Sequence, residues 1–239
     1  MKDTDAEHSA PTRLAADSPA IAAVADGLSR AIHELRIQPG AKLTAEEIGE
    51  IYGVSRTVVR AALQRLAHER LVEIRRHRGA FVSSPDRKEA AEVFEARALL
   101  EPRTARSAAE RAAPADIALL RRHIAAEHAA LDGGDAGRAL RLSGQFHVEL
   151  ARIADQGTIA RFIEALVARS SLAIALYARR PSARCERHAH DALIEAVASG
   201  DGSGAEDLMR SHLVDLHSML DLRAAGDVPR GLREALIGD

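Results

Sequence analysis

The chain has 239 residues, 46% hydrophobic and 28% charged, with a formal net charge of −2, which suits one large domain or two small ones and excludes wholesale disorder. No apolar run approaches the roughly 20 residues of a membrane span, and a single cysteine, Cys185, excludes an internal disulfide framework and fits a reducing cytoplasm. Charge is unevenly spread: Val54 to Val82 holds 7 arginines against 2 glutamates, a local excess of +5 that points to a polyanion contact.

Residues 1–17 are polar, acidic and without periodicity, and read as a disordered tail rather than a secretory signal. Ser18-Pro19 starts a first helix, with Ile21, Val24, Leu28, Ile32 and Leu35 on one face. Gln38-Pro39-Gly40 ends it. Thr44 and Glu47 form a capping box that opens a short helix through Ile51. Tyr52-Gly53-Val54 breaks the chain, and Ser55 caps a third helix with Val58, Val59, Ala62, Leu63 and Leu66 on its buried side. Leu71 to Ile74 and Ala80 to Val82 then read as strands of a β-hairpin with the basic tip Arg75-Arg76-His77-Arg78-Gly79. After the linker Ser83 to Asp86 the pattern is helical throughout, giving about six helices of 15 to 25 residues in a bundle. The fold expected is mainly α: a winged helix-turn-helix over 18–84, an all-α bundle over 85–224, and a C-terminal tail over 225–239.

Helix, turn, helix and basic hairpin in that order suit DNA. Arg56 and Thr57 fall in the first turn of the third helix, where side chains and free backbone N–H groups can face a duplex. Arg60 shares the face of Arg56. Ser55 and Thr57 suit phosphate oxygens, and the two arginines suit guanine edges or phosphates. Arg75, Arg76, His77 and Arg78 would carry the wing over a flanking groove, with Gly79 making the turn.

These residues carry a resemblance. Pro39-Gly40-Ala41-Lys42-Leu43, Tyr52 through Leu63, Leu66, Leu71-Val72 and Arg78 through Val82 resemble the GntR family of bacterial transcription regulators. Three departures stand out: Val58 where the family has proline, Ala61 where it has glutamate, and Ala45-Glu46 in place of a Glu-Arg type pair. Arg97 through Pro102, Phe146-His147, His190 with Ile194 through Val197, Gly200-Asp201 and His212-Leu213 look like the FCD effector domain of the FadR-type branch.

Spacing alone brings two histidines level. His190 lies ten residues before Gly200 and His212 eight after Gly204, so in an antiparallel helical hairpin both sit about 12–15 Å from the turn. His147, beside Phe146, can complete a cluster from a third helix, and three imidazoles in a bundle suit a divalent transition metal, zinc or nickel. Each histidine can equally be a hydrogen-bonded bundle residue; His123, His128, His188 and His217 are read as surface or structural. The resemblance implies a fourth, acidic or amide ligand one turn before the Phe-His pair, where this chain has Ser143. Arg97, matched by the resemblance, and Arg169, on a pocket-lining helix, are candidates to hold an effector carboxylate. The resulting expectation is a cytoplasmic, dimeric regulator, not an enzyme. It binds palindromic operator DNA, as a repressor in the commoner mode, and answers a small carboxylate-bearing effector. A constitutive DNA-binding dimer and a metal-dependent enzyme remain as alternatives.

Overall fold

The stripe Ile21, Val24, Leu28 and Ile32 becomes the buried face of α1 (Pro19–His33), with Pro19 in the first turn. The computed structural model describes residues 18–178 and 183–222; the expected tails, 1–17 and 225–239, lie outside the described residues. Leu35 leaves the stripe, because the helix ends before it and its backbone is left-handed at φ 57°. Ile37 takes the next place in the core.

A two-residue strand, β1 (Lys42–Leu43), precedes α2 (Ala45–Tyr52). Thr44 Oγ1 donates to Glu47 Oε2 at 3.0 Å, so the expected capping pair meets side chain to side chain rather than at the Thr44 oxygen and a backbone N–H. Gly53 closes α2 in the left-handed conformation, φ 64°, that favours glycine after a helix. Ser55 then caps α3 (Arg56–His68) by accepting from the Val58 N–H, and Val59, Ala62, Leu63 and Leu66 are buried. The wing is β2 (Val72–Arg75) and β3 (Gly79–Val82), antiparallel, with Val72 opposite Val82 and Arg75 opposite Gly79. β1 adds to the free edge of β3, giving the order β1-β3-β2. Two residues show no alternation, which is why β1 escapes a reading of periodicity.

Among the described residues six helices follow: α4 (Arg87–Arg111), α5 (Pro114–Asp132), α6 (Ala136–Ile153), α7 (Gly157–Tyr177), α8 (Ala183–Ala198) and α9 (Gly202–Ser218). Asp86 caps α4 by accepting from the Glu89 N–H at 2.8 Å. α4 lies against α6, α7, α8 and α9, and α5 closes the remaining side against α6 and α8. Phe94, Leu120, Ile124, Phe146, Leu193, Met209 and Leu213 fill the core between them. Among the described residues no helix is long and apolar enough to cross a membrane.

The two halves meet along α6 and α7. Ala168 and Leu172 of α7 belong to the same apolar cluster as α1. At the start of α6, Gly137 lies so close to the Glu34 backbone that a β-carbon would collide with its carbonyl oxygen. Four residues later, Arg141 Nε lies 3.0 Å from Glu34 Oε1. The helix carrying His147 is thereby fastened to the end of α1.

Candidate DNA interface and metal centre

Ser55, Arg56, Thr57 and Arg60 are all exposed on the first turns of α3, and the apolar side of that helix is buried. Arg56 Nη2 reaches Glu46 Oε1 of α2 at 2.5 Å across open surface. At the wing, Arg76, His77, Arg78 and Gly79 are exposed. His77 and Gly79 take left-handed backbone conformations, φ 58° and 98°, and make the turn. Arg75 is held differently: its guanidinium lies 4.5 Å from the centre of the Phe81 ring and donates to Glu73. It packs the hairpin.

In the bundle, α6, α8 and α9 bring His147, His190 and His212 together, all buried, with one nitrogen of each within 4.8 Å of the others. His212 Nε2 and His147 Nε2 are 3.4 Å apart. Two ligands at about 2.0–2.1 Å from a tetrahedral zinc would stand about 3.4 Å from each other, so this pair already has ligand spacing. His190 Nε2 is buried and has no hydrogen-bond partner. Its other ring nitrogen, Nδ1, lies 3.1 Å from Glu127 Oε2 of α5, and His147 Nδ1 lies 2.7 Å from Glu101 Oε2 of α4. A carboxylate behind the outer nitrogen of His147 and of His190 leaves Nε2 of each ring turned to the cluster, an arrangement that orients metal-binding histidines elsewhere.

The electrostatics agree. Burial pushes His147 down to about 4 and His190 down to about 3. His212 is also lowered, by burial first and then by the other two histidines. All three imidazoles are therefore neutral near neutral pH, the form that ligates. Burial opposes ionisation of Glu101, but the Arg97 guanidinium and His147 overcome it and hold the carboxyl at about 2. Burial pushes Glu127 up to about 7, because the nearby His147, His128 and His123 pull its value down too weakly to offset it.

Ser143 stands one turn before His147 on the same face of α6 and is buried. Arg97, also buried, is taken by the chain itself: Nε and Nη2 donate to Glu101 at 2.5 and 3.3 Å, and Nη1 donates to Ser170 Oγ at 2.9 Å. Arg169 ion-pairs with Glu89 at the start of α4. Neither guanidinium presents the free fork that a carboxylate ligand requires. Of the other histidines, His123 Nε2 is bonded to the Leu142 carbonyl and His217 stacks on Phe94; His188 is exposed.

Sequence alone gives no role to Glu101 or Glu127. Glu127 did leave a signal: it occupies the buried stripe of α5 with Leu120 and Ile124, where a carboxylate is out of place without a partner.

A winged helix with exposed arginines on its third helix and wing, joined to a helical bundle with a buried polar centre, is the architecture of a DNA-binding transcription regulator with an effector domain. The comparisons name the family. Residues 20–82 match the model of the bacterial regulatory proteins of the gntR family, and residues 92–215 match the FCD domain. The chain belongs to the GntR family and carries an FCD domain, which makes it a regulator and not an enzyme.

Its similarity to the HTH-type transcriptional regulator LutR of Bacillus subtilis is 25% identity over 206 residues, covering 77% of this chain and 93% of the relative. To the HTH-type transcriptional repressor RspR of Escherichia coli it is 27% over 192 residues, 79% of this chain and 83% of the relative. A GntR transcriptional regulator from Rhodococcus sp. RHA1 shares the fold at TM-score 0.73 and 22% identity, covering 84% of this chain and 97% of that one. McbR/YncC of E. coli does so at 0.72 and 21%, covering 84% and 98%.

Proposed function

We propose that this regulator works as a dimeric repressor whose effector site is built on a divalent metal, zinc or nickel, held by His147, His190 and His212. The observation that carries this reading is the convergence of three buried imidazole nitrogens within 4.8 Å. A bound ion would act as a Lewis acid with an open coordination position, and a small carboxylate-bearing effector would fill it. Since Arg97 and Arg169 are committed to Glu101 and Glu89, the metal rather than an arginine fork holds the effector's carboxylate.

On the DNA side, Ser55, Arg56, Thr57 and Arg60 enter the major groove, and Arg76, His77, Arg78 and Gly79 lie over the flanking groove, with Arg75 stiffening the wing. A single winged helix buries little surface on DNA, so a two-fold dimer reading a palindrome supplies the specificity. Leu99 of α4, 75% exposed, and Phe162 of α7, 60% exposed, are apolar side chains in open solvent on two helices that touch, and they suit a second copy of the chain. Working on DNA, the protein acts in the cytoplasm.

Coupling runs through α6, which bears His147 and is fastened to α1 by Arg141–Glu34 and by the close approach at Gly137. A shift of α6 on effector binding would move the DNA-reading half. A thermal-shift screen of small mono- and dicarboxylates on the zinc-loaded full chain tests this. Stabilisation that a chelator abolishes supports the reading; stabilisation indifferent to the chelator rejects the metal as the effector's anchor.

A further inference from the structure

The metal centre proposed above has a charge problem, and its solution identifies a residue outside the ligand set. Three neutral imidazoles around a divalent ion leave two positive charges uncompensated in a buried site, which is costly without a counter-charge. Ser143, placed one turn before His147, brings none.

Two buried carboxylates approach from behind, and they are not equivalent. Glu101 is spent on Arg97, whose Nε lies 2.5 Å from its Oε1, so that pair is close to neutral as a unit. Glu127, 1% exposed, has no arginine or lysine partner among the described residues, and its direct contact is His190 Nδ1 at 3.1 Å. The opposite nitrogen of that same ring is the buried, unpartnered Nε2. A carboxylate, an imidazole and an orphaned nitrogen thus stand in series, with the open end in the histidine cluster.

We propose that Glu127 is the positioning and charge-balancing residue of this metal centre: it accepts Nδ1–H of His190, turns Nε2 to the ion, and supplies from α5 the negative charge that Ser143 does not supply from α6. The inference rests on the metal reading of the three histidines. It adds a fourth helix to the site and ties α5 to its occupancy.

The test is a zinc titration of the full chain against a chromophoric chelator, with the cobalt(II) absorption spectrum as a second readout. Removing such an outer carboxylate costs about 10–100-fold in metal affinity, so Glu127→Gln is expected to weaken zinc by that factor and to perturb the cobalt bands. Ser143→Asp returns a carboxylate from the other side and is expected to tighten zinc more in Glu127→Gln than in the parent, since a merely structural role for Glu127 gives equal gains in both backgrounds. Glu127→Asp keeps the charge and provides a milder variant, with a smaller loss, if the glutamine protein does not fold. Zinc affinity and cobalt spectrum unchanged in Glu127→Gln, or an equal gain from Ser143→Asp in the parent and in Glu127→Gln, overturns the proposal. A parent protein that takes up no zinc defeats the metal reading itself, and this proposal with it.

Discussion

Arg56 Nη2 lies 2.5 Å from Glu46 Oε1, bridging the first turns of α3 and α2 with both side chains about two-thirds exposed. The pair must open before Arg56 can meet a base or a phosphate. Exposed pairs hold by about 0.2–1 kcal/mol, so opening costs at most about fivefold in affinity. Glu46→Gln is therefore expected to tighten operator binding by up to about fivefold, whereas Arg56→Ala weakens it by about 1–3 kcal/mol. Fluorescence anisotropy at one fixed salt concentration, on a duplex selected from a random pool, reads both. Weaker binding by Glu46→Gln would mean that the carboxylate itself contacts the DNA.

The wing separates two kinds of arginine. Arg78 is exposed at the tip, while Arg75 covers Phe81 and bonds Glu73. Arg78→Ala is expected to lower the slope of log affinity against log salt by about 1 with little change in melting temperature. Arg75→Ala should show the reverse, a lower melting temperature with a smaller effect on the slope. Identical behaviour of the two variants would remove the distinction.

The proposed dimer would use α4 and α7. Leu99→Glu and Phe162→Glu each place a charge in the apolar contact expected of a dimer. Light scattering of the full chain should give a dimer for the parent and a monomer for the double variant. A dimer that survives both substitutions puts the interface elsewhere.

Acid should destabilise the metal-free protein. His147 and His190 titrate at about 4 and 3 in the fold, below the ordinary 6.5. The unfolded chain then binds more protons below pH about 6.5, and stability falls as pH drops from there towards the folded values. Glu127 works in the opposite direction. Its folded value of about 7 lies above the ordinary 4.5, so its contribution is complete below 4.5 and lost as pH rises through about 7. Glu127→Gln should raise the melting temperature of the metal-free protein at about pH 8 and change it little at about pH 5. Equal shifts at both pH values would contradict the burial argument.

The order of elements was legible because each has its own local signal. Ser18-Pro19, Gly53 and Ser55 mark helix ends, and the apolar spacing of three and four marks the buried faces of α1 and α3. β1 was not legible, since Lys42 and Leu43 become a strand only through β3. That His190 and His212 lie level follows from counting residues to a turn, and His147 joins them through its place beside Phe146 on a third helix. Their outer partners do not follow: Glu101 sits in a motif with Arg97, but nothing local says that it also touches His147, 46 residues on. Arg97 and Arg169 looked available because sequence shows a guanidinium without showing the carboxylate that packs beside it.

If His147, His190 and His212 hold a metal, elemental analysis of the purified full chain beside His190→Ala will find one zinc or nickel per chain in the parent and its loss in the variant, with both proteins folded. No metal in the parent, or equal metal in both, contradicts it.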